Sequence, residues 1–251
     1  MRSTKPCVTL LVCSFALLAQ TPSQPTSPAP ASSPFSRGGF DFSGVLDGYY
    51  SNNFNNPASA FNAIRNFDTQ ADRFALNMAR LAISNTSGPV GFRVDIGGGR
   101  AFNVLHATEV DLGNGVMRHI PQAYVTLKPR NWNGVTLDFG KFYTSAGAEL
   151  TETHLNWNYS RSLLFALGPY YHFGARLSAP VNKSWTTGFQ LINGWNNVND
   201  LNDGKTMGFT NSFTHKNITI ANAYYTGPEK IGAAKGWRNF VDTVVGIKAN
   251  D

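Results

Sequence analysis

The sequence predicts an all-β fold: an antiparallel up-and-down transmembrane β-barrel of about ten strands, incomplete as written. Three observations carry this reading. Segments of roughly ten residues alternate apolar and polar with period two, the length and pattern of a tilted membrane-spanning strand. The links between them alternate long and short. Charged residues make up only 14% of the 251 residues, while aromatics reach 13% and there are 24 glycines, which suits strands with two unlike faces. A mean hydropathy of −0.22 is too polar for a bundle of membrane helices, and the aromatic content argues against a disordered chain.

Taken in order, residues 1–19 read as a secretory signal peptide: a basic start with Arg2 and Lys5, an apolar run from Cys7, and a cleavage site after Ala19. The run is too short for a spanning helix. Val12 before Cys13 does not fit a lipoprotein signal. Both cysteines of the chain lie in this segment, so the exported chain carries no disulfide, no thiol catalyst and no cysteine-ligated metal. Residues 20–38 hold Pro22, Pro25, Pro28, Pro30 and Pro34 among Ser, Thr and Ala, a disordered or polyproline-like linker. Residues 39–251 have uniform composition and form one domain. The net charge of +6 includes the two leader cations and comes with no basic run, so it makes no case for nucleic acid as a partner.

Within the domain, Phe40, Phe42, Gly44, Leu46, Gly48 and Tyr50 fall on one face, and Asp41, Ser43, Asp47, Tyr49 and Ser51 on the other. Val90, Phe92, Val94 and Ile96 alternate with Gly91, Arg93, Asp95 and Gly97. Val135, Leu137 and Phe139 alternate with Thr136 and Asp138, and Tyr171, Phe173, Ala175 and Leu177 with His172, Gly174, Arg176 and Ser178. Similar segments lie near 120–129, 184–193, 205–214, 218–226 and 239–248. In 73–85 the parity breaks around Arg80, where a bulge or a helix is expected. Long links at 53–72, 101–119, 144–170, 194–204 and 227–237 alternate with short ones at 86–89, 130–133, 181–183 and 215–217. A soluble β-sandwich or β-helix also alternates faces, but its connections need not alternate in length.

The segments GVLDGYYSNNFN, HIPQAYVTLKP, LDFGKFYTSAGAE, NWNYSRSLLFALGPYYHFGARLSAP and LINGWNNVND resemble the β-barrel porin, OmpL-like family of Gram-negative outer membranes. The resemblance covers about residues 40–245, and its most specific parts are Asn158–Ser162 and the Gly194–Trp195 corner. It implies a porin-like barrel without naming a solute. The chain departs from the pattern at its end, VGIKAND, which lacks the terminal aromatic of bacterial barrels and reads as a turn, so closing strands are expected to be missing.

If the apolar parity faces lipid, the other parity lines a wet lumen. That face carries Asp47, Tyr49, Arg93, Asp95, Gln122, Tyr124, Lys128, Asp138, His172, Arg176 and Gln190. So many charges would be costly in a dry core and cost little facing water. The longest link carries Glu149, Glu152, His154 and Arg161. Folded into the pore, Glu149 and Glu152 would oppose Arg93 and Arg176; lying over the rim, they would simply be solvated. Trp185, Trp195, Trp237, Tyr50, Tyr143 and Tyr170 at strand ends read as interface girdles.

The expected function is therefore an outer-membrane channel for passive diffusion of small hydrophilic solutes, with no reaction catalysed and no cofactor. Expected partners are outer-membrane lipid, the solutes and a second copy in a homo-oligomer. A secreted soluble β protein binding glycans is the alternative. An outer-membrane esterase using Ser160 and His154 trails, because no signal places a third group to orient them. Gly97–Arg100 lacks the Gly-Lys-Ser/Thr ending of a phosphate loop, shows no helix pattern after it, and reads as a strand end. The five histidines show no metal spacing. Residues 199–204 mimic a calcium loop but carry Leu201 and lack a downstream Glu; a solvated turn fits better.

Overall fold

The computed structural model describes residues 9–17, 35–110, 112–113, 115–232 and 235–249. Ten consecutive strands make one antiparallel up-and-down sheet: β2 (Asp41–Ser51), β3 (Arg73–Asn85), β4 (Val90–Gly98), β5 (Gln122–Leu127), β6 (Thr136–Tyr143), β7 (Tyr171–Pro180), β8 (Trp185–Ile192), β9 (Thr206–His215), β10 (Ile218–Pro228) and β11 (Trp237–Ile247). Each pairs with its neighbour in sequence. The sheet is not closed: β2 lies at one end and β11 near the other. An eleventh strand, β1 (Thr9–Leu17), runs parallel along the outer edge of β11. It falls within the segment read as a leader and supplies partners to backbone groups that β11 would otherwise leave open. The rest of the leader, and the proline-rich linker up to residue 34, lie outside the described residues.

The register shows why alternation along each strand becomes two faces of a sheet. Val90, Leu127, Leu137, Leu177, Phe189, Phe209, Tyr224 and Val241 lie side by side across eight strands. One residue away runs a second row: Thr126, Asp138, Arg176, Gln190, Gly208, Tyr225 and Phe240. Side chains of adjacent rows point to opposite faces. The first row is largely exposed, as are Phe42, Phe139 and Leu46; Asp138, Arg176, Gln190, Tyr225 and Phe240 of the second are buried. Phe92, Val94 and Phe173 are half-buried against outer-face neighbours such as Phe40 and Phe139, with ring centroids about 6 Å apart.

The parity break in β3 is a bulge. Asp47 pairs with Met78 and Gly48 with Leu76, so Asn77 is the extra residue. Before it Phe74 and Leu76 face out; after it Met78, Arg80, Ala82 and Ser84 turn in. The bulge therefore sits three residues before Arg80.

All long links emerge at one end of the sheet and all tight turns at the other. The 99–121 link holds α1 (Arg100–Leu105), and the 144–170 link holds α2 (Leu163–Leu167). Gly97–Gly99 ends a strand as expected, but a helix does follow it; at six residues it is too short to leave a periodic signal. The long links meet in one apolar cluster. Phe67, Phe102, Leu105, Tyr170 and Val198 pack there with Met78 and Tyr171. No described helix is long and apolar enough to cross a membrane. Exposed rings mark both ends of the outer face, with Tyr50, Phe74 and Trp237 at the long-link end and Trp185 at the other. Tyr143, Tyr170 and Trp195, expected in the same girdle, instead pack inward among the long links.

Candidate functional site

The inner face is built of charges that the strands place opposite one another. Asp138 and Arg176 are cross-strand partners. Both Nε and an Nη of Arg176 donate to one carboxylate oxygen of Asp138, at 3.1 and 2.6 Å, while Thr126 donates to the other at 2.6 Å. The Arg176 guanidinium also lies over the Phe142 ring, 4.4 Å from its centroid. A second cluster centres on Asp95, which is fully buried. It accepts from Arg93 two residues away (2.8 and 3.1 Å), from Arg80 on β3 (2.6 Å) and from Gln122 on β5 (3.1 Å). Four donors thus converge on this buried carboxylate, one on Oδ1 and three on Oδ2, and they stand in for the water it has lost.

The 144–170 link lies against this face. It enters beside β10 and β11: the Ser145 amide donates to Tyr225 Oη at 3.3 Å and the Gly147 amide to Asp242 at 2.7 Å. It then crosses to β3, where Glu152 meets Arg80 at 3.0 Å. It ends its crossing on β2, where Asp47 accepts from Thr153 (2.7 Å) and Tyr159 (3.0 Å) as well as from Asn77 of the bulge (2.6 Å). One segment thus touches strands near both ends of the sheet from the same side, which requires the sheet to curl around it. Arg161 holds the segment's shape by donating to the carbonyls of Leu150, Thr151 and Tyr159.

Each residue singled out from sequence has a definite place. Asp47 anchors the crossing segment. Tyr49 packs tilted against Tyr159, with centroids 5.5 Å apart, and its hydroxyl accepts from the Gln70 backbone amide. Arg93 and Asp95 pair with each other, and Asp138 with Arg176. His172 is fully buried under the start of the crossing segment, stacked on Tyr225 and bonded to Gly194 O and Thr144 Oγ1. Glu152 joins the Asp95 cluster through Arg80. Glu149 turns back within its own link to accept from the Ser162 amide and hydroxyl, and Ser162 in turn caps α2. Glu149 thus bonds within its own link and Glu152 pairs directly with Arg80, beside Arg93, while the nearest carboxylates of Arg93 and Arg176 are Asp95 and Asp138. Residues two apart on a strand, or opposite on the next, offer shorter reach than a loop side chain.

Arg80, Asn77, Tyr159 and Asp242 were not singled out from sequence. Arg80 sits where the parity breaks, and Asp242 on the polar parity of 239–248. Ser160 bonds to Asp68 and Arg65, both at 2.5 Å, and no described hydrogen bond joins it to His154. Residues 199–204 form side-chain-closed turns: Asp200 accepts from the Asn202 amide and pairs with Lys205, and Asn202 accepts from the Gly204 amide.

An up-and-down sheet with an apolar outer row, an inner row that carries paired charges and a long link folded across the inside is the arrangement of an incomplete β-barrel. The model of the Putative beta-barrel porin-2, OmpL-like family matches residues 39–251. The chain belongs to this family. No curated protein and no solved structure matches it. The family match begins at the boundary between the proline-rich linker and β2, so it spans all ten antiparallel strands of this porin-family chain.

Proposed function

We propose that the chain forms an outer-membrane channel for passive diffusion of small hydrophilic solutes. The observation that carries this reading is the pair of neighbouring register rows. One is Leu137–Leu177–Phe189–Phe209, suited to lipid, and the next is Asp138–Arg176–Gln190, suited to water. The outer row would lie in the hydrocarbon layer, with Tyr50, Trp185 and Trp237 at its boundaries. The lumen residues would be Asp47, Tyr49, Arg93, Asp95, Asp138, His172 and Arg176, with Glu149 and Glu152 on the link that narrows the path. The paired charges set a field that orders water and favours small polar solutes over apolar ones. The work needs no bond made or broken and no cofactor. Export through a cleaved signal peptide to the outer membrane of a Gram-negative bacterium, and assembly with further copies, complete the reading.

The full chain reconstituted in liposomes tests it. Vesicles should swell in iso-osmotic small sugars and stay unchanged in large dextrans. The protein should sediment with membranes and run differently boiled and unboiled on a gel. A chain found in the soluble fraction, with no swelling in any solute, would sink the channel reading.

A further inference from the structure

The 99–121 link carries a cluster that the lumen chemistry does not use. His106 closes α1, and its side chain is 1% exposed. Nδ1 lies 2.8 Å from the Phe102 carbonyl, and Nε2 lies 2.9 Å from Nζ of Lys141 on β6. A lysine ammonium only donates. Nε2 must therefore accept, and the proton of a neutral His106 sits on Nδ1, donating to Phe102 O. Lys141 is itself fully buried, bonds to the Met117 carbonyl at 2.8 Å and lies over the Tyr171 ring. The carboxylate of Glu109 stands 3.9 Å from Nε2, just beyond hydrogen-bond reach. Among the described residues, the remaining titratable groups facing His106 are Tyr171, whose ring centroid lies 4.9 Å away, and Arg118 and His119 on the following turn.

We propose, building on the channel reading, that this link is a proton-operated clasp at the channel mouth. Protonated His106 exchanges Lys141 for Glu109, and α1 leaves the apolar cluster that the long links share. The geometry leaves little choice. A proton on Nε2 converts the one acceptor of the Lys141 contact into a second donor, with two positive charges 2.9 Å apart. Among the described residues, Glu109 is the carboxylate that stands close enough to accept it. Phe102 and Leu105, one turn or less from His106, pack on Phe67, Tyr170 and Val198 of three other long links. Moving His106 therefore moves the side chains that tie the links together. Burial, and then Lys141, hold the His106 pKa down to about 4, so the clasp is shut at neutral pH and opens in acid.

Hydrogen exchange of the full chain in lipid vesicles, followed by mass spectrometry between about pH 7 and about pH 3.5, tests the clasp. After correction for intrinsic rates, amides of residues 100–110 should exchange about tenfold faster or more in acid, while those of β6 and β7 stay protected. His106→Gln should abolish the acid response, because the glutamine amide can donate to Phe102 O and accept from Lys141 at every pH. Lys141→Gln should also blunt it, since a protonated His106 would then have an acceptor in place. Three results would overturn the clasp: no acid response in the wild type, an equal response in His106→Gln, or simultaneous loss of strand protection. Liposome swelling in the same preparations separates the two proposals. Acid-dependent exchange in a chain that passes no solute would remove the channel and leave the clasp.

Discussion

Arg80 of β3 and Glu152 of the 144–170 link lie 3.0 Å apart, both nearly buried. Arg80 also reaches Asp95 at 2.6 Å, and Asp95 takes two donors from Arg93. A carboxylate from a link is thereby built into a wall cluster of two arginines and one aspartate, which Glu152 brings to charge balance. The link is fastened to the inner face by charge as well as by the Asp47 hydrogen bonds.

Glu152→Gln should shift bilayer reversal potentials toward anions, because it leaves the Arg80–Asp95–Arg93 cluster with one uncompensated positive charge. Glu149→Gln should shift them far less, since Glu149 is turned toward Ser162. The barrel should stay folded in both, as Arg80 retains Asp95. Equal selectivity in the wild type and Glu152→Gln would put the crossing link outside the ion path.

Asp47→Ala should release the far end of the crossing link. It leaves Asn77, Thr153 and Tyr159 without their shared acceptor. Hydrogen bonds to charged groups are worth roughly 1.5–3 kcal/mol each, so the local loss is large against ordinary loop stability. Limited proteolysis from the side of the long links should cut within 150–160 in the variant and spare it in the wild type. Asp47→Asn should fall between them. An uncut variant would show that the Arg80–Glu152 contact alone holds the segment.

The strands were legible because period-two alternation is local: Leu137, Phe139 and Asp138 declare their faces without reference to any other strand. Link lengths are local too, and they set the up-and-down order. The partner of each charge was not legible. Period two says that Arg176 and Asp95 face inward, but register decides that Asp138 meets Arg176 and that Arg80 reaches Asp95, and register is a relation between distant segments. The bulge announced itself as broken parity, yet its position needed the pairing of Asp47 with Met78. The six residues of α1 give too few turns for a helical period, so the helix and its His106–Lys141 contact left no trace in the sequence.

Gly140→Ala should weaken the barrel. Gly140 has φ +137°, and an added Cβ would stand 2.2 Å from the Ala123 carbonyl oxygen on the neighbouring strand. The backbone conformation alone costs a non-glycine residue about 1–3 kcal/mol, and the contact with a rigid strand adds to it. Gly232→Asn is the control, with φ +71° and nothing near the new Cβ. The urea midpoint should fall for Gly140→Ala and hold for Gly232→Asn. Equal midpoints would mean that β5 and β6 can part locally at no cost.

Glu229, in the link between β10 and β11, ties that link to its neighbour. Its carboxylate accepts from the Thr206 hydroxyl at 2.6 Å and the Trp195 amide at 3.2 Å. Burial raises its pKa above the usual value of 4.5, outweighing those two bonds and Arg238. A carboxyl whose folded pKa lies above its unfolded one binds its proton more tightly when folded. Its stabilising contribution is full below the unfolded value and is lost as pH rises through the folded one. At neutral pH the ionised group is therefore a cost that a neutral isostere avoids. Glu229→Gln can still accept from Thr206, so its stability relative to the wild type should rise between about pH 4 and about pH 7. Urea midpoints of both proteins at the two pH values read this directly. A difference that does not change with pH would mean that the carboxylate is as well solvated in the folded chain as in the unfolded one.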